Sequence, residues 1–130
     1  MTPHKQKATI LIVEDETALL NNIASILELS GYVCIKTSSG SEALAVLSNN
    51  NPDIIICDVM MAPMDGFQLI ALIRENKQTI NIPVIFLTAR ADLKDKNKGL
   101  ELGAKAYLTK PFNVTELIQM IQFVLSNTEA

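Results

Sequence analysis

NPDIIICDVMMAPMDGF, residues 51–67, contains a short apolar run that ends on a carboxylate. Ile54, Ile55, Ile56 and Cys57 form the run, and Asp58 follows it directly. A nearly continuous apolar run of this length is typical of a strand that is covered on both faces, as in a parallel sheet. We therefore predict a buried parallel strand with Asp58 at its carboxyl end.

Further apolar runs of strand length alternate with segments of helical periodicity. The predicted strands are residues 8–13, 32–37, 53–57, 83–88 and 104–109. Helical stripes are formed by Leu19, Ile23, Ile26 and Leu27 and by Leu117, Ile118, Ile121 and Leu125. This alternation predicts an α/β fold, a doubly wound five-stranded parallel sheet of order 2-1-3-4-5 with five helices.

Helix boundaries are marked by residues that can satisfy the free backbone groups at helix ends. Three pairs resemble capping boxes at helix starts: Ser39 with Glu42, Asp65 with Gln68, and Asn113 with Glu116. Gly31 and Gly103 stand where the first and fourth helices are expected to end.

The composition is that of a globular domain. At 130 residues we assign one domain to residues 8–126, between an N-terminal tail (1–7) and a C-terminal tail (127–130). The formal charge of −3 disfavours direct nucleic-acid binding, which depends on clustered Lys and Arg. No apolar run approaches the roughly 20 residues of a membrane span, and the N-terminal segment lacks the apolar core of a secretion signal. We expect a cytoplasmic protein that does not bind membranes, with Cys34 and Cys57 reduced.

Polar side chains follow several predicted strands at the same edge of the sheet. Glu14 and Asp15 follow the first strand, Asp58 ends the third, Thr88 ends the fourth and Lys110 follows the fifth. Ligands of such sheets bind at this edge, where the strand order reverses. Two like charges ~4 Å apart cost about 4 kcal/mol at an effective dielectric of ~20, so the acids require a counter-ion. Carboxylates without His or Cys nearby favour Mg²⁺.

Asp58 would then be a nucleophile toward a phosphoryl donor, with Lys110 and Mg²⁺ neutralising the developing charge. A simpler interpretation of the acids alone stays open, because Glu14, Asp15 and Glu16 could be first-turn residues favoured by the helix dipole. The coincidence of several polar types at four strand ends favours the phosphoryl site.

These residues resemble the receiver domain of two-component response regulators. The segment ILIVEDE (10–16) is similar to the family's acidic pair, and IIICDVMMAPMDGFQLI (54–70) to its phospho-acceptor motif. VIFLTA (84–89) matches the Thr/Ser-Ala step, and AYLTKPF (106–112) matches the segment with an aromatic residue and Lys-Pro. The resemblance covers about residues 8–126.

The resemblance implies a signalling switch that is not a conventional enzyme. Asp58 would accept a phosphoryl group from a histidine of a sensor kinase or phosphotransfer protein in a phosphorelay, and the aspartyl phosphate would be hydrolysed by the domain itself. Mg²⁺ would be bound by Asp15 directly, by Glu14 through water, by Asp58 and by the backbone carbonyl of Met60.

The family's remaining positions imply a phosphoryl-binding group and a conformational switch. Thr88, Lys110 and the backbone amide of Ala89 would stabilise the phosphoryl group, and Tyr107 would change rotamer as Thr88 moves. The Lys110–Pro111 bond is expected to be cis. A downstream protein, or a second copy of the chain, would bind the fourth helix, fifth strand and fifth helix.

Two helical segments are expected to meet partners. The segment 91–104 has few apolar anchors, chiefly Leu93, Leu100 and Leu102, so the fourth helix should be loosely held. Leu19 and Leu20 are about 100° apart on a helix, so one of them should lie in solvent near the acidic edge, where a kinase would dock.

Three features depart from the family's usual pattern. Ala62 stands where most members have Pro, and Pro63 follows it. The first acid is Glu14, where Asp is commoner. Met60 and Arg90 occupy positions that tune dephosphorylation in this family. We expect either a stand-alone receiver or part of a longer regulator or hybrid kinase, since no output module fits after the last predicted helix.

Alternative functions are a Mg²⁺-dependent phosphatase with an aspartyl nucleophile, a flavodoxin-like cofactor binder and a pseudo-receiver that is not phosphorylated. The phosphatase needs a second Asp where Met60 stands. The cofactor binder needs a phosphate-binding loop where Glu14-Asp15-Glu16 would repel phosphate. Retention of Asp58, Thr88 and Lys110 argues against a pseudo-receiver.

Overall fold

The fold is a five-stranded parallel sheet with helices on both faces, in a computed structural model that describes residues 8–89 and 93–127. The strands are β1 (Thr9–Val13), β2 (Val33–Thr37), β3 (Ile54–Asp58), β4 (Val84–Thr88) and β5 (Ala106–Thr109). Their order in the sheet is β2-β1-β3-β4-β5, with every pair parallel. The predicted strand order is confirmed.

A helix follows each strand. The helices are α1 (Thr17–Leu29), α2 (Gly40–Leu47), α3 (Gly66–Glu75), α4 (Leu93–Glu101) and α5 (Val114–Asn127). Helices α1 and α5 cover one face of the sheet, and α2 and α3 cover the other. Helix α5 ends at Asn127, so the first residue of the predicted C-terminal tail (127–130) belongs to α5.

The alternation of side chains along β3 explains its continuous apolar run. Ile54 and Ile56 belong to the core under α1 and α5, whereas Ile55 and Cys57 belong to the core under α2 and α3. All four side chains are buried because successive residues of a strand point to opposite faces. Only the last residue, Asp58, ends the run with a charge.

The helix ends follow the sequence signals. Asp65 caps α3 in a full capping box with Gln68, and Asn113 exchanges the same two bonds with Glu116 before α5. The Ser39 hydroxyl accepts the Glu42 N–H, although the Glu42 carboxylate binds the Ser38 N–H instead of that of Ser39. The backbone turns at Gly31 and Gly103 with φ of 100° and 98°, which favours glycine.

Two expectations about helix faces are wrong. Leu20 is buried and Leu19 is half-buried against the same core, so neither side chain projects into solvent at the start of α1. Leu100 is not an anchor of α4, because its side chain is 49% exposed. The α4 backbone instead approaches the sheet at Gly99, where an added Cβ would lie 3.1 Å from Phe86 and 3.2 Å from Tyr107.

Both cysteines are free. Burial raises the pKa of the Cys34 thiol to about 11 and raises that of the fully buried Cys57 thiol well above its usual value. The two residues therefore pack as small apolar side chains.

Within residues 8–89 and 93–127, no helix is long and apolar enough to cross a bilayer.

Candidate functional site: an acidic pocket at the carboxyl edge of the sheet

The polar residues at the strand ends are brought together by the parallel register. Val13 pairs with Cys57, so Glu14 and Asp58 each follow one member of this pair, on neighbouring central strands. Asp58 pairs with Leu87, and Thr88 pairs with Thr109, which places Lys110 next along β5. The structure thus assembles at one edge the groups that the sequence scatters over about a hundred residues.

Asp58 is held by two donors although its side chain is nearly buried. Only 5% of the residue is exposed. Its Oδ1 accepts the backbone N–H of Met60 at 2.9 Å, and its Oδ2 lies 3.0 Å from the Lys110 Nζ. A buried carboxylate that accepts from an amide and an ammonium is fixed in orientation, as a nucleophile requires.

Glu14, Asp15 and Asp58 form an acidic cluster. One carboxylate oxygen from each lies within 4.8 Å of the others. Glu14 is buried and Asp15 is exposed, so the cluster opens to solvent on the Asp15 side. Because α1 begins only at Thr17 and Glu14 is 2% exposed, the interpretation of Glu14 as an ordinary first-turn acid is wrong.

The pKa of Glu14 is raised by its surroundings in this cluster. Burial, followed by the charge of Asp58, raises the pKa of the Glu14 carboxyl, and the Glu16 N–H and Lys110 only partly oppose this. A buried acid whose charged form is disfavoured gains from a nearby cation. The set contains only carboxylate oxygens, which is the chemistry that Mg²⁺ prefers in proteins.

Lys110 bridges the two buried acids. Its Nζ lies 3.2 Å from the Glu14 Oε1 as well as 3.0 Å from Asp58, and its backbone N–H donates to the Thr88 carbonyl at 2.7 Å. Burial lowers the pKa of the ammonium, but the hydrogen bond and charge of Asp58, together with Glu14, outweigh burial and raise it. Lys110 is therefore charged at neutral pH. The Lys110–Pro111 bond is cis, as expected.

Thr88 and Tyr107 connect the pocket to α4. Thr88 is fully buried at the end of β4, and Ala89 follows it at an exposed position. The Tyr107 ring meets the Phe86 ring edge-on with centroids 6.1 Å apart, and both rings lie so near Gly99 of α4 that they would be 3.1–3.2 Å from an added Cβ. A continuous packed path therefore runs from β4 and β5 to α4.

Three further positions of the family pattern are Met60, Ala62 and Arg90. Met60, two residues beyond Asp58, is 53% exposed, and its backbone N–H donates to the Asp58 carboxylate. Arg90 lies outside the described residues. The Ala62–Pro63 bond, at the position where the chain departs from the usual family pattern, is cis.

Two residues, Gly66 and Thr37, lie close to the site although the sequence patterns above did not predict a role for them. The backbone at Gly66 closely approaches the backbone of Asp58, since an added Cβ would lie 2.5 Å from the Asp58 carbonyl oxygen. Thr37 is buried at the end of β2 and hydrogen-bonded to β1. The Asp-Gly step after the acceptor was visible as a turn signal, whereas a single Thr at a strand end carried no distinguishing pattern.

Comparisons with known proteins agree with this geometry. The family model for the response regulator receiver domain matches residues 10–122. The transcriptional regulatory protein YvrH of Bacillus subtilis is 44% identical over 124 residues, covering 95% of the chain and 51% of YvrH. The chain spans about half the length of the first curated relatives that it matches, 52% and 51% of two of them.

Two solved structures illustrate the structural similarity. The receiver domain of the Francisella response regulator 1452 has a TM-score of 0.88 and 34% identity, covering 95% of this chain and 100% of that chain. The receiver domain of the sensor histidine kinase PA1611 from Pseudomonas aeruginosa PAO1, with a magnesium ion coordinated in its active site cleft, has a TM-score of 0.85 and 29% identity, covering 93% of this chain and 99% of that chain. The family match, the shared strand order and the acids at the switch point lead to one conclusion: the chain belongs to the family of response regulator receiver domains of two-component signal transduction.

Proposed function

We propose that this domain is a phosphorylation-dependent switch in which Asp58 accepts a phosphoryl group from a histidine of a sensor kinase or phosphotransfer protein. The observation that carries the proposal is the position of Asp58, buried at the end of a central strand and 3.0 Å from a lysine ammonium. Domains of this family are signalling modules, which is consistent with such a switch.

The proposed reaction is a nucleophilic displacement at phosphorus. An Asp58 carboxylate oxygen forms the new O–P bond as the N–P bond to the donor histidine breaks, and the imidazole leaves with the bonding electron pair. Lys110, already paired with Asp58, offsets the charge that the incoming phosphoryl oxygens bring to the acidic edge. Water attack on the aspartyl phosphate would return the carboxylate, and Met60 and Arg90 would influence the rate of that hydrolysis.

The acidic cluster fits Mg²⁺. Glu14, Asp15 and Asp58, with the backbone carbonyl of Met60, would hold the ion, and the bound ion supplies positive charge that neutralises carboxylate and phosphoryl oxygens. The magnesium in the related PA1611 receiver domain supports this assignment. A bound cation would offset the burial and the Asp58 charge that together raise the pKa of Glu14.

The path from the pocket to α4 supports a switch in the output face. Thr88 and the Ala89 amide would bind the phosphoryl group, and movement of Thr88 would let Tyr107 turn toward α4. The Tyr107 ring already lies close to Gly99 of α4, and the Lys98 ammonium lies 4.9 Å from the centroid of the Phe67 ring on α3. Small shifts of these contacts would change the surface of α4, β5 and α5 by population shift.

Partners follow from this scheme. A histidine kinase or phosphotransfer protein would load Asp58, and a downstream protein or a second copy of the chain would bind the face formed by α4, β5 and α5. Residues 8–126 would form the working unit.

A phosphatase is disfavoured because Met60, at the position of the required second acid, has no proton to transfer.

The proposal is tested by phosphorylation with a small donor. Acetyl phosphate with Mg²⁺ should add one phosphoryl group to the protein, detected by intact mass, and EDTA should prevent it. Asp58→Asn should abolish the addition. Asp65→Asn is the matched control, since Asn caps a helix about as well as Asp and the Asp65 carboxylate caps α3.

Two results would overturn the assignment. An Asp58→Asn protein that gains phosphate at the wild-type rate would show that another residue is the acceptor. A folded wild-type protein that accepts no phosphoryl group from acetyl phosphate or from histidine kinases would be a pseudo-receiver.

A further inference from the structure

Thr37 lies at the one place where edge strand β2 is firmly packed. β2 is the outer strand of the sheet, and its other residues are exposed or half-buried. Thr37, its last residue, is 3% exposed. A polar residue buried at the edge of a sheet needs hydrogen-bond partners, and Thr37 finds partners in β1 and in the residue that follows it.

In addition to the strand pairing of Thr37 with Val13, two hydrogen bonds connect Thr37 to the backbone that leads into the acidic pocket. Its hydroxyl donates to the Ile12 carbonyl at 2.8 Å, and its carbonyl accepts the Glu14 N–H at 3.1 Å. On the other side of β1, the pairing with β3 ends at Val13 and Cys57. The Thr37 carbonyl therefore extends the sheet to Glu14, one residue beyond the last pair with β3.

Glu14 needs this support because of its length and burial. A glutamate has one more rotatable bond than the aspartate that is commoner at this position, so its carboxylate has more ways to leave the pocket. Glu14 is 2% exposed, and one of its carboxylate oxygens lies within 4.8 Å of oxygens of Asp15 and Asp58. Its carboxylate contacts within the described residues are Lys110 and the Glu16 N–H, each at 3.2 Å. A moving Glu14 backbone would disturb both contacts.

We propose that Thr37 is a positioning residue for Glu14. Its hydroxyl ties the end of β2 to β1 by a hydrogen bond, so that its carbonyl holds the Glu14 backbone and keeps the Glu14 carboxylate in the cation-binding cluster. This inference rests on the proposed function for its consequence, Mg²⁺ binding. The hydrogen bonds of Thr37 do not require Mg²⁺, so their effect on the Glu14 amide is measured in the metal-free protein.

The test compares Thr37→Val with Thr37→Ser. Valine keeps the branched shape and removes the hydroxyl, whereas serine keeps the hydroxyl. In metal-free protein, Thr37→Val should speed hydrogen exchange of the Glu14 amide by about threefold to tenfold, the worth of one hydrogen bond. Mg²⁺ affinity, measured by calorimetric titration, should fall by a similar factor. Thr37→Ser should restore both values toward the wild type.

A double-mutant cycle separates positioning from general damage. In a Glu14→Gln background, adding Thr37→Val should not weaken Mg²⁺ binding further, because the residue through which Thr37 acts has lost its charge. The inference fails if Thr37→Val leaves Glu14 exchange unchanged, if amides throughout the sheet speed up equally, or if the Mg²⁺ loss persists in the Glu14→Gln background. Failure of the wild-type protein to accept a phosphoryl group would instead refute the proposed function, and the metal-free exchange result would still stand.

Discussion

Gly66→Ala tests whether the acceptor is positioned by a close backbone approach. Gly66 is the first residue of α3, and its N–H donates to the Val59 carbonyl at 2.9 Å. An added Cβ would lie 2.5 Å from the Asp58 carbonyl oxygen and 2.8 Å from the Val59 Cα. Both are backbone atoms and cannot rotate away. Either the start of α3 or the chain after Asp58 must move.

The expected size of the effect follows from these distances. Relieving the contact requires a displacement of roughly 1 Å, because carbon atoms pack at about 3.5–4.0 Å. Overpacking of this kind costs about 1–3 kcal/mol, and weakening the Gly66 to Val59 hydrogen bond adds about 1 kcal/mol. The better helix propensity of Ala returns about 0.5–1 kcal/mol. We therefore expect the free energy of unfolding to fall by about 2 kcal/mol, and Tm by roughly 5–10 °C.

We expect Gly66→Ala to lower the phosphorylation rate more strongly than it lowers the free energy of unfolding. A displacement of about 1 Å at a reacting group can reduce a rate by up to about a hundredfold, so phosphorylation of Gly66→Ala by acetyl phosphate should slow by about tenfold or more. Rates are measured by intact mass at a temperature where urea titration shows the variant to be folded.

Gly40→Ala is the matched control. Gly40 is likewise the first residue of a helix after a capping residue, and an added Cβ would lie 2.6 Å from the Met64 sulfur. The end of a flexible Met side chain can move aside, so Gly40→Ala should change stability by less than about 1 kcal/mol and leave the phosphorylation rate near that of the wild type. If both variants were equally stable and phosphorylated at the wild-type rate, the close approach at Gly66 would have no part in positioning Asp58.

Two further predictions concern charge and the switch. Because the folded-state pKa of Glu14 is raised above 4.5, Glu14 costs stability once it ionises in the folded protein, and this cost disappears as pH falls through the folded pKa toward 4.5. In EDTA, the gain in stability from Glu14→Gln should therefore shrink between pH 7 and pH 4.5 in urea titrations, and a gain that does not vary with pH would contradict the raised pKa. For the switch, a beryllofluoride mimic should shift the NMR amide signals of Thr88 and residues 93–107 most, and Tyr107→Ala should weaken partner or self-association while Asp58 still accepts phosphate. Shifts confined to the metal pocket would exclude this face as the output surface.

The sequence by itself determined the architecture and the edge at which the acids meet. Both depend on patterns that local chemistry imposes. The run from Ile54 to Cys57 had to be covered on both faces, the capping residue Asp65 marked the start of a helix, and parallel strands carry their carboxyl ends to one edge. Asp58 and Lys110 could therefore be assigned to one pocket before any distance was known.

The tertiary structure decided how side chains are oriented and which backbones touch. The rotation of α1 buries Leu20 and half-buries Leu19, and the close approach of Gly99 to Phe86 and Tyr107 accompanies an exposed Leu100. Thr37 bonds to Ile12 and Glu14 because the register of β2 against β1 places it opposite Val13. Such features depend on how elements distant in sequence are rotated and registered against each other, and a periodic pattern carries only the direction of the apolar face.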